Sequence, residues 1–163
     1  VNIALIENNE PILGVIYAPA ISLLYYASKN YGSYKITCKK KIDSLSNSQR
    51  INTNINKKTN SIIIQSRSHT NKQHDNWVNK NFKDSKIVKK GSSLKFCEIA
   101  EGKADIYPRF GPTSEWDIAA GHIILNESGG KIRSIDNKKI LYNLSESVTN
   151  PSFIASSIEI KNV

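Results

Sequence analysis

The first six residues, Val1–Ile6, form an apolar alternating run, and Ile12–Ala18 repeats the signal; both predict β-strands. The spacer Glu7-Asn8-Asn9-Glu10-Pro11 is polar and ends on proline, as a hairpin loop does. Leu23–Ala27 predicts a third strand, Asn30-Tyr31-Gly32 a turn, and Tyr34–Thr37 a fourth strand. Strands joined by such short links predict an antiparallel sheet. Its first strand has no earlier partner, so the pattern predicts a strand or covering helix further upstream. From Lys39 to Asn60 the chain is rich in Lys, Asn, Ser and Thr, with isolated isoleucines. This stretch predicts a surface linker with room for a short strand, and a boundary between subdomains at 1–59 and 60–163.

The second half changes period. Ser61–Ser66 is a β-branched run suited to a strand buried on both faces. Asn76–Phe82 predicts a short helix, with Trp77, Val78 and Phe82 on one face. Lys86–Val88 predicts a strand, and Leu94–Glu101 a helix stopped by Gly102. Asp105-Ile106-Tyr107 predicts a strand broken by Pro108, Gly111 and Pro112. A helix then follows, capped by Thr113 or Ser114, carrying Glu115 and Asp117 in its first turn, and ended by Gly129-Gly130. Its isoleucines, alanines and leucine predict one wide buried face. Lys131–Ile135 and Phe153–Ser156 supply last strands, with a turn at Asp136-Asn137-Lys138. Strands alternating with helices predict an α/β unit on a parallel or mixed sheet.

Bulk composition narrows the class. A chain of 163 residues, 39% hydrophobic, can build a real core. No apolar run is long enough to span a bilayer. The two cysteines, Cys38 and Cys97, are far apart with no metal-ligand spacing, which fits a reduced, cytoplasmic setting. The net charge of +9 suits an anionic partner, yet the lysines fall in scattered pairs and triplets, without the interleaved aromatics of a single-strand nucleic-acid surface. The sequence contains no methionine, even at position 1, and starts directly on a strand pattern. We therefore expect it to be the downstream part of a longer protein.

Ligands of open α/β sheets collect at strand C-termini and the helix starts that follow. Three stretches fall there: Ser66-Arg67-Ser68-His69, Gly91-Ser92-Ser93-Leu94-Lys95, and the segment from Arg109 to Asp117. A cation at Lys95 opposes the helix dipole, which favours an anion nearby. Arg109, between Pro108 and Phe110, can be an ordinary surface residue or, in the sharper reading, grip a phosphate with two N–H groups. Asp117 can hold a hard cation or simply favour its helix N-terminus. Ser92 or Ser93 can cap a helix, and His69 can be an ordinary turn residue; His74 and His122 are read as structural. The slim run Ala119-Ala120-Gly121 lets another element approach the carboxylate.

The run GPTSEWDIAAGHIILNESGG resembles the second signature of the inositol monophosphatase superfamily. The longer run GSSLKFCEIAEGKADIYPRFGPTSEWDIAAGH resembles one branch of it, the 3′(2′),5′-bisphosphate nucleotidases of the CysQ type. VNIALIENNEPILGVIYAPA, SRSH and TNPSF extend the likeness over most of the chain. The resemblance implies a layered αβαβα sandwich, here with the later strands of the antiparallel sheet and the C-terminal α/β subdomain. It implies a phosphatase that converts adenosine 3′,5′-bisphosphate to AMP and phosphate with Mg²⁺, in sulfur assimilation or nucleotide recycling. Asp117 matches a metal-binding and substrate-touching aspartate. Ser66 and His69 match an SxxH substrate motif, Ser92 and Lys95 an SxxK pair, and Arg109 the arginine of the following strand. A cytoplasmic location is implied, with peripheral contact at the inner membrane left open.

The sequence departs from that family at one point. An Asp-Pro-x-Asp-Gly-Thr loop and an earlier metal-binding glutamate do not occur in these residues. One carboxylate rarely holds Mg²⁺ unaided. The expectation is an incomplete, inactive part whose partner is the missing N-terminal portion of the same fold. Two alternatives stand beside it: a non-catalytic nucleotide- or phosphate-binding module, and an inositol-phosphate phosphatase.

Overall fold

The structure is a computed structural model that describes residues 1–38, 44–54, 60–67 and 72–157. A five-stranded sheet comes first: β1 (Asn2–Glu7), β2 (Glu10–Ala18), β3 (Leu23–Ser28), β4 (Gly32–Thr37) and β5 (Gln49–Ile51). The strands lie in chain order, each antiparallel to the next, with β1 at one edge. The β1–β2 turn is tighter than the polar spacer predicts. Asn8 and Asn9 turn the chain in two residues at φ 49° and 64°, a left-handed conformation that asparagine tolerates. The strand consequently runs through Pro11, which pairs with Ile6 where the register shifts by a bulge.

The second sheet is mixed. Its strands are β6 (Ile62–Ser66), β7 (Lys86–Lys90), β8 (Ile106–Arg109), β9 (Lys131–Ser134) and β10 (Phe153–Ser156), in the order β7-β6-β8-β10-β9. The links β6–β7 and β6–β8 are parallel, while β10 runs antiparallel to both β8 and β9. Helices α1 (Lys72–Asn81), α2 (Leu94–Ala100) and α3 (Glu115–Glu127) alternate with the strands as the sequence predicts. The strand predicted to stop at Tyr107 continues through Pro108 to Arg109. It can do so because β8 meets β6 only at Ile63↔Ile106, so no ladder N–H is asked of Pro108 on that side.

Alternation along the second sheet separates two layers. Ile63, Ile106 and Ile154 face outward onto α1, where Val78 is buried and Trp77 and Phe82 pack beside it. Ile64, Tyr107, Phe153 and Ala155 face inward with Phe96 and Ile99 of α2. The aromatic rings of Phe96, Tyr107 and Phe153 pack on one another with centroids 5.5–6.0 Å apart. Helix α1 begins at Lys72, earlier than predicted, and buries His74.

Helix α3 lies between the sheets, and this overturns the one-sided stripe that its sequence suggests. All eight residues from Ile118 to Leu125 are buried. Ile118, Ala119 and Leu125 join the core with the second sheet, whereas Ala120, Ile123 and Ile124 join Ile16, Tyr25, Ala27 and Ile51 under the first. The small residues serve this double packing rather than access to Asp117. A Cβ at Gly121 would fall 2.4 Å from the Phe96 ring, and one at Gly14 of β2 would fall 2.7 Å from the Ala120 carbonyl oxygen. Glycine in a helix costs about 1 kcal/mol. Burial of Ile118, Ile123, Ile124 and Leu125 returns roughly 1.5–3 kcal/mol each, so packing decides. The predicted linker also contributes: β5 lies within it, and Ile51 enters the core beneath the first sheet.

Helix α3 ends at Glu127 with Ser128 as its C-cap, and Gly129 follows at φ 98°, the left-handed residue that the Gly-Gly pair predicts. Glu101, just past α2, ties the helix to the first sheet. It accepts a hydrogen bond from Tyr25 Oη at 2.6 Å and forms ion pairs with Lys35 and Lys103. Among the described residues no helix is long and apolar enough to cross a membrane.

Candidate anion-binding site

The C-terminal ends of β6 and β8 and the starts of α2 and α3 surround a cavity of about 310 Å³. Five of the six residues singled out in the sequence line it: Ser66, Ser92, Lys95, Arg109 and Asp117. The sixth, His69, lies outside the described residues. Arg67, Tyr107 and Thr113 line it too, without having been singled out. Tyr107 was nevertheless accessible to a period-2 argument, since it stands two residues before Arg109 on the same strand face.

Lys95 is the site's least ordinary residue, at 4% exposure. Its Nζ donates to the Ser92 carbonyl oxygen at 2.7 Å and sits 4.8 Å from the centroid of the Tyr107 ring. Burial, reinforced by repulsion from Arg109, pulls its pKa from the usual 10.5 down to about 8, although Asp117 pulls it back up. Arg109 Nη1 reaches Ser66 Oγ at 3.4 Å, and Nη2 donates to the Pro112 carbonyl oxygen at 3.0 Å. The Tyr107 hydroxyl also bonds to Ser66, and burial raises its pKa. Strand β8 thus carries two side chains that fix the site: Tyr107 beneath Lys95, and Arg109 across from it.

Asp117 opens α3 in a capping box. Its Oδ2 accepts the Ser114 backbone N–H at 3.0 Å, and the Ser114 side chain accepts the N–H of Asp117 in return. The residue is exposed and lines the cavity. Neither serine at the start of α2 caps through its side chain. Ser93 occupies the cap position with helical φ and ψ, and its hydroxyl donates to Asn2 Oδ1 at 2.7 Å. The Lys95 and Phe96 N–H groups bond to the Ser92 and Ser93 carbonyls. Attraction for an anion here therefore rests on Lys95, Arg67 and Arg109 rather than on the seven-residue helix α2.

Three cations and one carboxylate make this an anion pocket. The donor set does not fit a Mg²⁺ ion by itself, because a hard divalent cation needs several oxygen ligands and Asp117 is the single acidic residue of the lining among the described residues. Among the described residues no group of three or more His, Cys, Asp or Glu side chains converges to hold a metal.

Two packed sheets sharing buried helices, with a cationic pocket at the strand ends, define a layered α/β class. The chain belongs to the inositol monophosphatase family, whose family model matches residues 1–161. It is 44% identical over 162 residues to the 3′(2′),5′-bisphosphate nucleotidase CysQ of Buchnera aphidicola, covering 97% of this chain and 57% of that protein. Identity to the CysQ of Salmonella typhimurium is 39% over 153 residues, covering 94% of this chain and 58% of that protein. The crystal structure of CysQ from Bacteroides thetaiotaomicron superposes with a TM-score of 0.86 at 35% identity, covering 97% of this chain and 62% of that one. An inositol monophosphatase from Zymomonas mobilis shares the fold at a TM-score of 0.75 and 18% identity, covering 96% of this chain and 56% of that one. The chain thus spans less than two thirds of the length of these relatives.

Proposed function

We propose that the full protein is a 3′(2′),5′-bisphosphate nucleotidase that hydrolyses adenosine 3′,5′-bisphosphate to AMP and phosphate, and that this chain supplies its phosphate-binding half. The observation that carries the reading is the buried Lys95 ammonium, held by a carbonyl and a ring beside Arg109 in a cavity of about 310 Å³. A cation placed there at a cost in desolvation gains most when a dianion enters. Lys95 neutralises phosphate charge as a point cation, Arg109 orients the group with its planar fork, and Ser66 and Ser92 supply hydroxyls. The relatives named for this activity are similar over nearly the whole chain.

In this proposal Asp117 is one ligand of a Mg²⁺ site whose remaining carboxylates lie outside these residues. Two observations support an incomplete unit. The acidic set is too small for the ion, and the outer face of the first sheet is apolar, with Ile3 59% and Leu5 54% exposed. The missing N-terminal portion of the same fold is the proposed partner. A non-catalytic nucleotide-binding module remains the second reading, favoured by the lone carboxylate.

Calorimetric titration of this chain with adenosine 3′,5′-bisphosphate, alongside a phosphate-release assay with Mg²⁺, tests the proposal. The expected result is binding that Lys95→Met and Arg109→Gln each weaken by tenfold or more, with no turnover by this chain. Addition of the upstream acidic portion restores turnover, and Asp117→Asn abolishes it again. Ser114→Ala instead lowers stability by about 1 kcal/mol through the lost cap and leaves nucleotide affinity in place. Robust turnover by this chain alone contradicts the incompleteness, and absent binding contradicts the site. Binding with no turnover after reconstitution supports the second reading.

A further inference from the structure

Along the C-terminal half of α3, away from Asp117, lies a second cavity of about 110 Å³. Three cations line it, each from a different element: Lys29 just after β3, Arg133 from β9, and Lys139 from the segment that follows. Its two carboxylates are already engaged. Glu10 pairs with Lys139 at 2.5 Å and is also attracted to the more distant Lys29, and Glu127 accepts the Asn30 and Gly32 backbone N–H groups at 3.0 and 2.9 Å, one on each oxygen. Among the described residues, Lys29 and Arg133 form no ion pair with a carboxylate; Arg133 Nη1 donates to the Ile132 carbonyl oxygen at 3.2 Å. The inner wall is His122, 2% exposed, whose Nδ1 lies 2.8 Å from Tyr142 Oη. Burial, with Arg133 and Lys139 nearby, drives its pKa down to about 3, so the imidazole is neutral. Three positive groups, partly offset by the Glu10 and Glu127 carboxylates, then face a neutral His122, and such a net-positive concavity raises the local concentration of anions.

We propose that this cavity is a second anion site, taking a small tetrahedral oxyanion on Arg133, Lys139 and Lys29. Size sets the class. The volume far exceeds the ~10–15 Å³ that one water needs, yet it is about a third of the first cavity and too small for a nucleotide. Cations approaching from three elements suit a tetrahedral ion, and Arg133 can take two of its oxygens. His122 lines the cavity as a neutral ring whose Nδ1 is committed to Tyr142. Glu10 shares Lys139 with the incoming ion, which limits affinity to the range of free phosphate in a cell rather than of a tight cofactor.

The test titrates inorganic phosphate into this chain at an ionic strength held constant with chloride. Calorimetry reads stoichiometry, and the ring resonances of His122 report this cavity. The expected result is two equivalents of phosphate and a saturable shift of His122. Arg133→Gln weakens the His122-reported event at least tenfold with the backbone spectrum otherwise unchanged, while Arg109→Gln removes only the other event. Lys139→Gln gives the same reading should Arg133→Gln unfold. A single equivalent that Arg109→Gln abolishes, a His122 response unchanged in both cavity variants, or an equal response to chloride overturns the proposal. Two equivalents that both survive Arg109→Gln count against the nucleotide reading alone.

Discussion

Lys95 and Tyr107 meet as a cation over a ring, 4.8 Å from Nζ to centroid, with Asp117 the only carboxylate among the described residues that line the same cavity. The pairing links a charge on α2 to a strand of the second sheet, and it leaves the ammonium short of the water it would have on the surface.

That arrangement has a signed pH dependence. The Lys95 pKa is about 8 in the folded protein against 10.5 ordinarily, so between these values the unfolded chain holds more of this proton. This group therefore makes the ligand-free protein more stable as pH rises from about 8 to 10.5, and phosphate affinity falls over the same interval as the ammonium is lost. Thermal melts across pH 7–10.5, with and without phosphate, should show the two trends opposed. Lys95→Met should flatten both.

Gly121 offers a test of the double-sided packing of α3. An alanine Cβ at this position would lie 2.4 Å from the Phe96 ring, which is itself fully packed. Gly121→Ala should destabilise by about 1–3 kcal/mol despite alanine's better helix propensity. Gly91→Ala, where a Cβ meets nothing within 4 Å, is the control and should be near neutral. Urea midpoints compare the two.

Glu101 should govern part of the acid limb. Burial of Glu101 acts to raise its pKa, but its bonds with Lys35, Tyr25 and Lys103 outweigh this and leave it below the usual 4.5. A lowered carboxylate stabilises the fold above the unfolded value and loses that contribution as pH falls through the folded one. Glu101→Gln should cost about 1–3 kcal/mol at neutral pH and leave a shallower loss of stability below pH 4.5. Melts from pH 3 to 7 read both effects.

Local patterning made the strands and the three helices legible, because period 2 and the capping residues speak through neighbours. What escaped depended on the other side of an interface. The isoleucines of α3 look like one stripe until the first sheet packs over Ala120 and Ile123. Pro11 and Pro108 look like strand breakers, yet one sits at a bulge and the other beyond the reach of β6. The site residues could be picked from their places at strand ends and helix starts and from the family resemblance. Their convergence needed the parallel β6–β8 link, which puts Ser66 and Arg109 at one end of a sheet. Tyr107 was passed over as strand filler because its role is to lie beneath a lysine twelve residues earlier.

Helix α3 carries, among the described residues, the pocket's one carboxylate at its first turn and divides six of its next eight residues between the cores of both sheets. Neither sheet can therefore loosen without stripping one flank of the rod that aims Asp117. Heat should accordingly dismantle scaffold and pocket in one cooperative step, and an anion gripped at the rod's tip should raise the melting point of the farthest strand as much as that of the nearest.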